Sequence, residues 1–277
     1  MIESSSKSEQ GLLNPTVLYF IVGMTLYLGA LALMIQAETS GQSSWLLRAG
    51  VALFQSCMVF FLFTPLHDAT HGSASSTRWI NQTILYGVWP AFLTNPHLFF
   101  RLHIHHHAYT NDPAQDPDHF TAHRSLLVRW VKSFLLMTHY HLFYLSKFVS
   151  AKRDLGHIIA SLFSQAVFMS LMVFTPLTLP LFFGMGLPAF LGIGVLAFVN
   201  TSWPHHPAED RDRMRNTVNH YVPKWMQWLC ANQNLHHVHH LNPSLPWYRY
   251  PEYWRKHEAE FRAKGARVIE VLGSKTY

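Results

Sequence analysis

Apolar and polar positions divide the chain into four uncharged runs and two long histidine-rich regions. Residues 16–36 carry no charge over 21 positions, and at 1.5 Å rise per residue such a helix crosses a hydrocarbon core of about 30 Å. A short polar turn with Gly41 separates this run from a second, residues 49–66. The pair predicts a helical hairpin. Residues 158–177 and 181–199 are the third and fourth runs, with Pro176 and Pro180 marking the turn between them. Glycines at 184, 186, 192 and 194 are placed to let helices approach closely. Between the hairpins, residues 79–100 are apolar but broken by Pro90, Asn95, Pro96 and His97, which predicts an interfacial or re-entrant helix rather than a span. Residues 128–149 mix Phe, Leu and Tyr with Lys132, His139, His141 and Lys147, the pattern of an amphipathic surface helix.

The expected fold is an all-α integral membrane protein. Four transmembrane helices in two hairpins would carry a helical cap, residues 67–156 and 200–277, with the whole of 1–277 forming one domain. Composition agrees: 49% of residues are apolar and only 13% charged, about half the usual globular share. The N-terminal stretch has no basic n-region or small-residue cleavage site, so the first run is expected to be retained as an anchor. The net charge of +6 would suggest nucleic acid in a soluble protein. Here eight of the 21 Lys and Arg lie between Leu66 and Gly156, eleven lie after Val199, and Lys7 precedes the first run. With four spans these regions share one side, which the positive-inside rule makes cytoplasmic, together with both termini. The basic excess then reflects orientation and lipid headgroups, not nucleic acid.

Histidine is what the pattern does not explain. Twelve of the 20 histidines fall in four clusters: His67 and His71, His103 with His105, His106 and His107, His205 and His206, and His236, His237, His239 and His240. All four lie on the predicted cytoplasmic side, with His119 nearby. His67 and His71 at i, i+4 share a helix face. His103, His106 and His107 repeat an H-x-x-H-H spacing found again at His236, His239 and His240; His105 falls outside it and is expected to point elsewhere. Cys57 and Cys230 form no metal-binding motif, so nitrogen and oxygen must supply any ligands. Eight or nine imidazoles are too many for one ion and suit two. Open all-histidine sites favour redox-active iron, while zinc remains open on ligand type. Asp68, Asp112, Asp116 and Asp118 are placed to accept the second N–H of ligating imidazoles, or to cap the turns around Pro113 and Pro117. No catalytic residue beyond the ligands is expected. A metal transporter would need ionisable groups within the spans, and a zinc hydrolase an HExxH-like base. The sequence has neither.

HDATH, HIHHH and HHVHH, ordered around two pairs of spans, resemble the histidine boxes of the membrane fatty acid desaturase superfamily, from about His67 to Tyr250. That resemblance implies a di-iron centre, dioxygen as co-substrate, and a lipid substrate taken from the bilayer. It implies metal ligation by His67, His71, His103, His106, His107, His236, His239 and His240, with His205 in SWPHHP as the ninth. It also implies a separate electron donor, ferredoxin- or cytochrome b5-like, since no such domain follows the last box in this sequence. HHAYTNDPAQDPDHF and NLHHVHHLNPSLPWYRYP further resemble carotenoid hydroxylase and ketolase members. The same ligands serve desaturation and hydroxylation, so acyl chain and carotenoid both stand as substrates. Of the tryptophans Trp203, Trp225, Trp228, Trp247 and Trp254, most are expected in an interfacial belt.

Overall fold

The computed structural model describes residues 13–148 and 152–274. Among these, four helices are long and apolar enough to cross a membrane: Pro15–Thr39, Trp45–Thr70, Asp154–Phe174 and Thr178–His205. Each contains one of the four uncharged runs or nearly all of it. Asn14 starts the first helix by accepting the backbone N–H groups of Thr16 and Val17, which satisfies two of the orphan donors at a helix start.

The second helix is the centre of the bundle, packing against both the first helix and the Leu187–Leu196 part of the fourth. The third meets the fourth at Thr178–Leu181, beside the turn. Almost none of its most apolar stretch is fully buried within the chain, as for a lipid-facing helix. Three of the four glycines named from the sequence sit at close helix contacts, Gly184 among them, where a Cβ would stand 2.8 Å from Leu31 of the first helix. A Cβ at Gly192 would stand 2.7 Å from Val59 Cβ, and one at Gly194 would stand 2.4 Å from the ring of Phe134. Gly186 has ordinary room around it.

Both central helices run past the apolar segment. The second has 26 residues, about 39 Å at 1.5 Å per residue, well beyond the core thickness of about 30 Å. This overshoot carries His67 and Asp68. The fourth helix likewise ends at His205 and passes through two π-helical segments, Phe182–Gly186 and Ala197–Ser202. Histidine thus extends the helices out of the apolar zone without interrupting them.

The expected single helix over 79–100 is replaced by three pieces: Arg78–Gly87, Trp89–Phe92 and the start of Pro96–Tyr109. Leu93 takes a left-handed conformation (φ 51°) and ends the second piece. Asn95 then caps a new helix, and Pro96 occupies its first turn, where the missing N–H costs nothing. Prolines read as breaks within one helix are therefore the starts of others. The expected amphipathic helix is present as Leu126–Phe148; Val149 lies outside the described residues.

The polar end is built from Pro96–Tyr109, His236–Leu241, Tyr250–Ala263 and two short parallel strands, Val218–Tyr221 and Arg267–Glu270. The strands were not visible in the sequence pattern. Trp247 and Trp254 depart from the expected belt: both are buried in a core with Tyr250, Leu235 and Phe261, and Trp254 donates to the Tyr221 hydroxyl. Trp225 is exposed.

Candidate metal centre

The ends of the second and fourth helices, the Pro96–Tyr109 helix and the short His236–Leu241 helix converge on one point. Spacings of three and four residues turn His103, His106 and His107 to one side of their helix, and the same spacing does so for His236, His239 and His240. The ligand atoms of His67, His71, His103 and His239 lie within 4.8 Å of one another, as do those of His106, His205, His236 and His240. His107 stands between the sets, grouped with His239 and His240. All nine histidines singled out from the sequence come together. His105 turns away, its ring against Tyr109 and Phe143. His237 also leaves the cluster, with its Nδ1 2.9 Å from the Thr217 hydroxyl.

Ring nitrogens face one another within hydrogen-bond distance, a spacing that suits a shared proton or a cation. Nε2 separations are 3.0 Å for His67 and His239, 2.8 Å for His107 and His239, 3.0 Å for His205 and His236, and 3.3 Å for His106 and His240. The outer hydrogen bonds set the tautomers. Asp116 accepts from His106 Nδ1 at 2.7 Å, leaving Nε2 directed inward. Asn111 donates its amide to the carbonyls of Asp210 and Asn216. Its Oδ1 must therefore be the acceptor for His205 Nδ1–H at 3.2 Å. The His239 Nδ1 lies 3.1 Å from the Tyr250 hydroxyl. His71 Nε2 is buried with no hydrogen-bond partner. Such a donor set, all imidazole and oriented from behind, fits two borderline cations and lacks the thiolates of a closed structural zinc site.

Burial favours the neutral, ligating form of imidazole. It takes His71 down to about 3 and holds His103, His107, His236, His239 and His240 well below the ordinary histidine range. His106 is the exception. Burial pushes it down too, but the charges of Asp116 and Asp118 outweigh this and raise it to about 9. A cation binding at its Nε2 would take the place of that proton. Burial, reinforced by the Asp116 charge, lifts the Asp118 carboxyl to about 6 against the pull of His106.

The four acids divide. Asp116 and Asp118 reach His106, at 2.7 Å and 3.6 Å. Asp116 also accepts the backbone N–H groups of Asn111 and Asp118, and Asp118 accepts from the Tyr140 hydroxyl. Asp68 and Asp112 have other partners. Asp68 accepts from the Thr16 hydroxyl at 2.8 Å and the Trp247 N–H at 3.4 Å, tying the first helix to the C-terminal region. Asp112 caps its own turn through the N–H groups of Ala114 and Gln115 and pairs with Arg211. The Asn-Asp-Pro sequence is reason enough for that turn. Asn111 and Tyr250 escaped the sequence reading. The one available signal for Asn111 was its place four residues after the second box, where it adopts φ 63°, a left-handed conformation asparagine tolerates.

An apolar cavity ends on this cluster. Phe63, Val88, Phe92, Phe99, Ile193 and Leu196 form its walls, while His67, His103, His106 and His236 close its polar end.

Two curated proteins are similar to this chain at low identity. Over 215 residues the chain is 26% identical to an sn-1 oleoyl-lipid 12-desaturase of Synechocystis sp., covering 67% of this chain and 61% of that protein. Over 233 residues it is 23% identical to an sn-1 oleoyl-lipid 12-desaturase of Anabaena variabilis, covering 74% of this chain and 67% of that one. The chain thus spans about two thirds of the length of these relatives. The family model described as fatty acid desaturase matches residues 43–271, most of the chain and all of the histidine clusters. The chain belongs to the fatty acid desaturase family.

Proposed function

We propose that the protein is a membrane-bound, O₂-dependent desaturase acting on an acyl chain of a lipid. The observation that carries this is the apolar cavity ending on nine gathered histidines, because it brings an apolar chain and a redox centre to one place. The names of the two relatives favour an acyl lipid over a carotenoid. His67, His71, His103 and His239 would hold one iron ion, His106, His205, His236 and His240 a second, with His107 between them. When bound, iron supplies the redox chemistry by which dioxygen is reduced and an unactivated C–H bond is broken. The overall change balances as –CH₂–CH₂– plus O₂, two electrons and two protons giving –CH=CH– and two waters. The electrons come from a separate ferredoxin- or cytochrome b5-like protein, and the histidine-bearing end faces the cytoplasm with both termini.

The chain's own residues do three things. Asp116 and Asn111 fix the Nδ1 protons of His106 and His205, so that Nε2 of each faces inward. Phe63, Phe92 and Phe99 keep bulk water from the polar end of the cavity and hold a chain against it. The Gly192 contact keeps the second and fourth helices close enough to place His67 and His205 in one centre, and Gly194 seats the fourth helix against Phe134 of the Leu126–Phe148 helix.

The test is expression in a host that makes both β-carotene and oleoyl lipids, followed by mass analysis of both pools. A new acyl double bond, absent with His239→Ala, supports the proposal. An oxygenated carotenoid with unchanged acyl lipids selects hydroxylation or ketolation instead. Two zinc ions per chain and no O₂ consumption by the purified protein would overturn the iron chemistry.

A further inference from the structure

A second apolar cavity lies beside the first. It opens between the Leu126–Phe148 helix and the third span, with Leu98, Leu145, Ile158 and Leu162 among its walls. One helix separates the two cavities. Met137 and Tyr140 face the first, while His141, Tyr144 and Leu145 face the second. The seam is a polar pair: Thr94, which lines the first cavity, places its hydroxyl 3.3 Å from Nε2 of His141, which lines the second.

Three features point to a ligand here. The walls are apolar, but the Ser161 side chain is 5% exposed and its hydroxyl has no hydrogen-bond partner. A buried unpaired hydroxyl is costly, and an ester carbonyl would satisfy it. Ser161 and His157 lie in the first two turns of the third span, at the end where the chain enters the membrane and where ester groups of a lipid sit. The exposed face of that span opens the cavity sideways to the bilayer.

Resting on the reading of the protein as an acyl-lipid desaturase, we propose that this cavity holds the second acyl chain of a glycerolipid whose first chain occupies the histidine-ended cavity. Two adjacent apolar cavities joined at a polar seam match two chains joined at one glycerol. A single-chain thioester would fill one and leave the other without a ligand. The second cavity then makes an intact diacyl lipid the preferred substrate and gives Ser161 and His141 a part in choosing it.

The test uses the full-length protein in vesicles of ordinary diacyl lipid doped with photoreactive probes. One glycerolipid probe carries a diazirine on its sn-1 chain, another on its sn-2 chain, and a third is a single-chain lyso-lipid. Cross-linked residues are mapped by mass spectrometry. The expected result is that one diacyl probe marks Phe92 or Leu196 and the other marks Leu145 or Ile158. Ser161→Phe, which fills the second cavity, should lower both diacyl marks by about tenfold and leave the lyso-lipid mark at Phe92 unchanged. Leu162→Trp, at an exposed wall residue, should act in the same direction without a buried substitution. Marks at Ile158 that ignore both variants and match those on the exposed Phe163 and Phe174 would identify ordinary surrounding lipid and overturn the proposal, leaving the desaturase reading intact. A first cavity marked by none of the three probes would overturn both.

Discussion

Gly192 offers a direct measure of how the membrane helices hold the metal centre. In Gly192→Ala the new methyl group would stand 2.7 Å from Val59 Cβ and 2.9 Å from the Ser56 carbonyl oxygen. Non-bonded carbons rest about 3.5–4.0 Å apart, so the second and fourth helices must separate by roughly 1 Å. Neither contact is the tip of a flexible side chain, so a change of rotamer gives no relief. Overpacking of this kind costs about 1–3 kcal/mol, against a gain in helix propensity of at most about 1 kcal/mol. His67 lies about 12 Å further along the same helix as Val59, and His205 ends the other helix. A displacement of about 1 Å at a reacting centre can cost on the order of 100-fold in rate. Gly29→Ala is the matched control, because nothing lies within 4 Å of its Cβ position. Unfolding midpoints in detergent, metal content after dialysis and turnover should all fall for Gly192→Ala and hold for Gly29→Ala. Equal behaviour of the two variants would refute the idea that this contact sets the ligand geometry.

Asp116→Asn removes the carboxylate behind His106, and loss of such a partner lowers metal retention by about 10–100-fold; competition with a chelator measures it, and unchanged retention counts against the role. In metal-free protein the raised His106 (about 9) contributes stability that is fully present below its unfolded value and is lost as pH rises through 9. Denaturant midpoints from about pH 6.5 to 9 should show that loss in wild type and a flatter profile in Asp116→Asn. Tyr250→Phe should weaken metal retention by about tenfold through His239, and a value equal to wild type would assign that hydroxyl a packing role. His105→Ala should leave metal content unchanged, since its ring faces Tyr109 and Phe143; a drop would show that this histidine reaches the centre.

Local features were legible because local physics produces them. An uncharged run of about 20 residues must be a buried or membrane helix whatever surrounds it. Histidines at i, i+3 and i+4 share a helix face by helix geometry alone, so the spacing itself picks out the candidate ligands and turns His105 outward. The prolines of 79–100 misled because one residue type marks both a break and a first turn; the difference lies in whether the next residues in the chain carry on as a helix. Pairing across the chain was beyond any local pattern. His67 meets His239 across 172 positions, and the second histidine box is split, with His103 in one group and His106 in the other. The acids show the same limit. Asp68, Asp112, Asp116 and Asp118 looked alike as acids near histidines, but a carboxylate takes whichever donor the packing brings. For Asp116 that donor is His106, and for Asp68 it is Thr16 and Trp247. Sequence alone determined which residues turn toward a common face and how many helices are long and apolar enough to cross a membrane, because both follow from local periods and run lengths. Tertiary structure alone decided which histidines share a site, which partners orient them, and where two cavities lie side by side, because those depend on contacts between segments that no local period relates.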